Sequence, residues 1–149
     1  MQSIHPMVVH FPLALLLTAV LLDLAAVALR RPALSAIALW NFCLGAAGAV
    51  AAVLSGLQAE SVAKHSFEIG QVLEKHERLG FATLALALII TGWRLMKKDR
   101  LSPRARAVII GLSLMMVATL TLGAYLGGRL VYEFGVGATF KHQTHAPGR

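Results

Sequence analysis

Four long apolar runs, separated by short polar or basic interruptions, account for most of the chain. The first extends from about Met7 to Leu29, with Pro12 near its start and Asp23 late in it, and stops at Arg30-Arg31-Pro32. The others cover Leu34 to Leu57, about Leu79 to Met96 and about Ala107 to Val131. A helix needs about 20 mainly apolar residues to cross roughly 30 Å of hydrocarbon. In lipid its backbone amides must also find their partners within the segment. The pattern therefore predicts an all-α fold: an integral membrane four-helix bundle with spans at about 7–29, 34–57, 79–96 and 107–131 and a tail at 132–149, all in one domain covering 1–149. Residues 1–9 contain no Lys or Arg, so the basic lead of a cleavable signal peptide is missing and the first run reads as a retained span.

Between spans two and three lies the longest polar stretch, Gln58 to Arg78, where Val62, Phe67, Ile69, Val72 and Leu73 punctuate charged residues at loosely helical spacing. A short interfacial helix is expected there. The small residues Gly48, Ala52 and Gly56 recur every fourth position in span two, and Gly123 and Gly127, followed by Gly128, form a Gly-x-x-x-Gly in span four. Such faces let another backbone, or a flat cofactor, approach closely. The tail after Phe134 is rich in glycine and polar residues, and its end is expected to be disordered.

Composition agrees with this pattern: 57% of the 149 residues are hydrophobic and 14% charged, against about a quarter charged in an ordinary soluble domain. The net charge of +7 does not indicate nucleic acid, because the basic residues flank apolar runs instead of clustering on a polar surface. Cys43 has no second cysteine to pair with and lies within an apolar run, so it reads as a small buried residue.

Charge does report on orientation. With four spans, Arg30, Arg31, Arg94, Lys97, Lys98, Arg100, Arg104 and Arg106 share one side with a single acid, Asp99. The other side carries Lys64, Lys75, Arg78, Arg129, Lys141 and Arg149 against Glu60, Glu68, Glu74, Glu77 and Glu133. The positive-inside rule then puts both termini outside, in the periplasm if the membrane is a bacterial inner membrane.

All six histidines fall on that outer side. A polar ring close to hydrocarbon is costly unless something pairs with it. His142 and His145 lie in the tail and read as solvated. His5 stands at the very start of the first span, and His10 further in, at a depth comparable with His76 just before span three. His65 and His76 are eleven residues apart, or roughly 16 Å along a continuous helix, too far to share one ion. Two histidines on different helices at one depth can hold a haem iron from both sides. His10 and His76 are thus the first candidates as metal ligands, with His5 and His65 as the next pair. Arg78 and Arg129 are candidates to pair with haem propionates, and Gly127 and Gly128 to line the porphyrin. Asp23, within the membrane and far from the histidines, reads as a packing ion pair with Arg94 or Arg31. The chain has no His-Glu-x-x-His, Gly-x-Ser-x-Gly, phosphate-binding loop or Cys-x-x-Cys-His.

The stretch Ile4-His5-Pro6-Met7-Val8-Val9-His10-Phe11-Pro12, with Asp23 later in the same run, resembles the start of the bacterial membrane family catalogued as domain of unknown function 2231. Gly127-Gly128-Arg129-Leu130-Val131-Tyr132, followed by Gly135-Val136-Gly137, resembles its end. The resemblance covers the whole chain and includes a histidine before the third span, matched by His76. It implies a respiratory context, some members being joined to haem or iron-sulfur modules.

Two functions from different classes follow. The first is a small b-type cytochrome binding haem b near the periplasmic face and exchanging electrons with a periplasmic or membrane redox partner. The second is a structural or metal-binding subunit in which His5, His10 and His76 hold copper or zinc, or only hydrogen-bond their neighbours. The lipid bilayer is the expected partner in both, nucleic acid in neither. A homo-oligomer stays open, and only an oligomer would give transport a pathway.

Overall fold

A computed structural model describes residues 4–61, 66–97 and 101–136. Helices α1 (His5–Val8) and α2 (His10–Ala28) form the first span, and α3 (Pro32–Ser61), α4 (Phe67–Met96) and α5 (Pro103–Tyr132) the others. The break at Val9 is local: its φ and ψ, −63° and −24°, are helical. Pro12 has no N–H to offer the Val8 carbonyl, so one rung of the ladder is missing there. These four spans are long and apolar enough to cross a membrane, as the hydrophobic pattern predicts.

The ends of the helices follow from sequence. Ser66 and Ser102 stand at N-caps with extended backbone, their hydroxyls accepting from Ile69 N and Ala105 N. Proline occupies the first turn of α5, where its missing N–H costs nothing. Beyond α5, Val136 N donates to Leu130 O and Gly135 N to Val131 O, with Gly135 at φ 66°. The bond from Gly135 N to Val131 O is that of an αL closure, and it needs the left-handed conformation glycine adopts freely. Between α2 and α3 the chain reverses through Leu29–Arg31, where Arg30 takes φ 53°.

One expectation is corrected. The stretch 67–78 is not a separate interfacial helix but the first turns of α4, which continues unbroken to Met96. Ser66 caps it, and nothing from Phe67 onward breaks a helix: even Gly70 and Gly80 sit on open faces. Residues 58–61 likewise prolong α3. At 30 residues each, α3, α4 and α5 measure about 45 Å, so their ends extend past the hydrocarbon or the helices tilt.

The core runs up the middle of the bundle as Leu16, Ala19, Val20, Phe42, Ala46, Ala87, Ile90, Ile109 and Met116. Small residues of α3 admit the first span: a Cβ on Gly45 would stand 2.7 Å from Leu16 Cδ2, and one on Gly48 2.9 Å from Phe11 Cδ1. Outside, Leu21, Trp40, Leu54, Ile89 and Leu122 are exposed. An apolar surface of this extent would be a liability in water, and is what a lipid solvent requires.

Candidate functional site

His5 and His76 meet at the end of the bundle where the first and third spans begin. Their ring centroids lie 6.1 Å apart with the planes at 84°. Each ring rests on a glycine of the helix behind it: a Cβ on Gly56 would lie 3.1 Å from His5 Cε1, and one on Gly127 the same distance from His76 Cε1. Any larger residue would displace the imidazole.

Hydrogen bonding sets the tautomer of His76 and anchors His5. His76 Nδ1 lies 2.9 Å from the carbonyl of Gly123, which can only accept, so Nδ1 carries the proton and Nε2 the lone pair. His5 Nδ1 lies 3.0 Å from Ser55 Oγ. That hydroxyl also donates to Ala52 O at 2.9 Å. A ring whose Nδ1–H is spent on a carbonyl or an equivalent acceptor is held in the orientation of a metal ligand.

The other candidates are placed differently. His10 is exposed on the outer face, its Nδ1 2.6 Å from Pro6 O one turn back. Five residues rotate a helix by about 140°, so when His5 faces α3 and α4, His10 looks outward. Depth along the chain did not translate into burial. Among the described residues no hydrogen bond or ring contact joins His10 to His76. Arg78 pairs with Glu74 and Arg129 with Glu133, each one turn away on its own helix. Gly128 has nothing within 4 Å of an added Cβ, so Gly127 alone backs the ring. His65, His142 and His145 lie outside the described residues.

At the far end of the bundle a polar cluster is fully buried. Arg94, 0% exposed, donates to Asp23 Oδ2 at 2.6 Å, to Ser35 O at 2.9 Å and to Ser35 Oγ at 3.0 Å, and lies 5.4 Å over the Phe42 ring. Arg106 reaches the same hydroxyl at 3.4 Å. Asp23 thus takes Arg94, one of the two partners expected for it. With the Arg94 charge answered by Asp23 and its guanidinium spread over several acceptors, the cluster locks packing.

The site could therefore bind a metal through two imidazoles. Among the described residues no three of His, Cys, Asp or Glu converge. Depth along the chain pairs His10 with His76, whereas the structure brings His5 to His76; helical phase, Gly56 and Ser55 are the signals in the sequence for that contact.

Neither the curated proteins nor the solved structures contain a match to the chain. A family model does match, over residues 1–140, and its description is a predicted membrane protein, DUF2231. The chain, a four-span membrane protein with a histidine pair at one end of its bundle, belongs to that family.

Proposed function

We propose that this protein is a small membrane electron carrier of the b-cytochrome type, in which His5 and His76 would hold a haem between the helices. The observation that carries the proposal is the His5–His76 pair itself. Two nitrogens each about 2 Å from one ion put imidazole centroids a little over 6 Å apart, and the observed separation is 6.1 Å. His76 keeps Nε2 free of a proton, as ligation demands, and a glycine stands behind each ring. The donor set fits haem, whose porphyrin supplies the remaining ligands, better than zinc, which takes three or four from protein.

When bound, haem supplies a one-electron couple. The chain's own part is to fix the two rings by Ser55 and Gly123 and to hold the half-buried pair between apolar helices. Arg78 and Arg129, at the same end, are each taken by a glutamate of their own helix, Glu74 and Glu133. The excess of basic residues at the opposite end orients the His pair to the outer side of the membrane, towards a periplasmic or membrane partner.

Protein expressed with ample haem and purified in detergent is expected to show a Soret band and reducible α band. Colourless protein carrying stoichiometric copper or zinc would transfer the site to the metal-binding subunit. Colourless, metal-free protein would leave the pair a packing contact.

A further inference from the structure

Displaced by 71 residues, the chain repeats itself. His5 falls on His76, Pro32 on Pro103 and Gly56 on Gly127, and the bounds of α3, Pro32–Ser61, fall on those of α5, Pro103–Tyr132. Burial repeats as well. The buried residues of α4 are Thr83, Ala87, Ile90, Thr91 and Arg94, and each lies 71 positions after a buried residue of α2: Pro12, Leu16, Ala19, Val20 and Asp23. The protein is two equivalent helical hairpins, both starting at the histidine end.

Three interactions join a residue to its own equivalent: His5 with His76, Asp23 with Arg94, and Ser35 with Arg106. In a twofold arrangement a residue meets its equivalent only at the axis. Asp23 lies 18 residues beyond His5 along the first span, or about 27 Å, so the axis runs along the bundle and through the membrane. At the histidine end the residues that meet across it are identical. At the opposite end they are not, and two arginines stand there without a basic equivalent: Arg106 answers to Ser35, and Arg30 to Leu101.

Those two arginines share a cavity of about 250 Å³ between α2 and α5, lined by Ala26, Val27, Arg30, Pro32 and Arg106. Arg30 occupies an unusual backbone. Arg31 N bonds Ala26 O at 3.0 Å and Arg30 N bonds Val27 O at 3.3 Å, closing α2 as a Schellman motif with Arg30 in the left-handed position at φ 53°. Glycine suits that position, because a Cβ disfavours it. Among the described residues Arg30 is the only non-glycine residue so placed. A side chain kept against the preference of its backbone points to a role for the side chain. Among the described residues no carboxylate pairs with Arg30 or Arg106; Arg106 reaches only the Ser35 hydroxyl, at 3.4 Å. One turn below the cavity Asp23 is taken by Arg94. Three bases therefore stand against one acid around an open cavity. Its flank is apolar and exposed, with Leu24 and Val27 on α2 and Val108 on α5.

We propose that Arg30 and Arg106 bind a phosphate group, and that the exposed apolar flank makes it the headgroup phosphate of one anionic phospholipid. Guanidinium groups match phosphate oxygens in charge and geometry. Basic pockets between membrane helices recognise anionic headgroups in this way, while the acyl chains lie along the helices. The site stands at the more basic end of the bundle and is independent of what the histidine pair binds.

Native mass spectrometry of the full-length protein in detergent tests it, with three probes: phosphatidylglycerol, phosphatidylcholine of the same chains, whose choline cancels the phosphate charge, and inorganic phosphate. Wild type is expected to retain one phosphatidylglycerol per chain, in preference to phosphatidylcholine by about 25-fold, each arginine contributing about fivefold. Arg30→Gln and Arg106→Gln should each lower that preference by about fivefold. Arg104→Gln, an exposed arginine outside the cavity, should leave it unchanged. Arg30→Gly separates binding from folding: glycine suits the left-handed position, so the unfolding temperature should hold or rise while the preference falls as in Arg30→Gln. Equal retention of the two lipids by wild type, or a preference that survives in Arg30→Gly and Arg106→Gln, overturns the proposal. Inorganic phosphate retained with the same dependence on the two arginines, and no preference for phosphatidylglycerol, keeps the phosphate site and overturns its lipid source.

Discussion

Asp23 and Arg94, 71 residues apart in sequence, meet in a buried 2.6 Å ion pair at the end of the bundle opposite the histidines. Removing one partner strands the other charge in a low-dielectric interior, which costs about 3–5 kcal/mol, whereas replacing both by apolar residues of similar size is often near neutral. Asp23→Leu and Arg94→Met are each expected to lower the unfolding temperature of the detergent-solubilised protein steeply, and the double variant to recover most of the loss. If the double variant is no better than the singles, the pair is not the lock described.

The two halves pack by opposite choices of size. Leu16 fills the space over Gly45, while the equivalent residues are Ala87 and Met116. Gly45→Met alone overpacks the helix contact and should cost roughly 1–3 kcal/mol or more. Gly45→Met with Leu16→Ala copies the second half into the first and should regain stability beyond additivity in a double-mutant cycle. Additive losses would show that the equivalence is one of position only.

A Cβ added at Gly56 or Gly127 would meet a histidine ring, and one at Gly128 would meet nothing within 4 Å. Leu at either of the first two should cost roughly 1–3 kcal/mol in thermal unfolding. Gly128→Leu should stay within about 0.5 kcal/mol, as unconstrained surface changes do. Equal damage at all three positions would contradict this assignment.

Glu133 caps the end of α5, and Arg129 in the last turn bonds its carboxylate and holds its pKa below the ordinary 4.5. A depressed carboxylate contributes stability above its unfolded pKa and loses it as pH falls through the folded one. Glu133→Gln should therefore differ from wild type at neutral pH and converge on it below pH 4.5. The pair is exposed, so the difference at pH 7 should be small. A gap that widens in acid would reverse the sign argued here.

The spans were legible because lipid imposes a one-dimensional rule: apolar runs of sufficient length must be helices. The turns of α4 before Leu79 were not, since polar residues in a helix that leaves the membrane look the same as those of a separate interfacial one. His76 was legible from its place before a span. His5 was hidden by treating depth as burial, when the angle between His5 and His10 around the helix decides which ring faces inward. The 71-residue repeat was present in the sequence as His5/His76, Pro32/Pro103 and Gly56/Gly127. It stays faint because lipid-facing positions accept almost any apolar residue, so only the axis and helix-contact positions keep a signature.

The electron paramagnetic resonance spectrum of the oxidised, purified protein tests the haem assignment most directly. Two imidazoles on one ferric ion give a low-spin centre, and ring planes near the 84° between His5 and His76 give it a strongly anisotropic signal. That signal, lost on His5→Ala and on His76→Ala and kept on His10→Ala, is the predicted result. A high-spin ferric signal, which one axial imidazole gives, or no ferric signal from haem-sufficient protein, would contradict it.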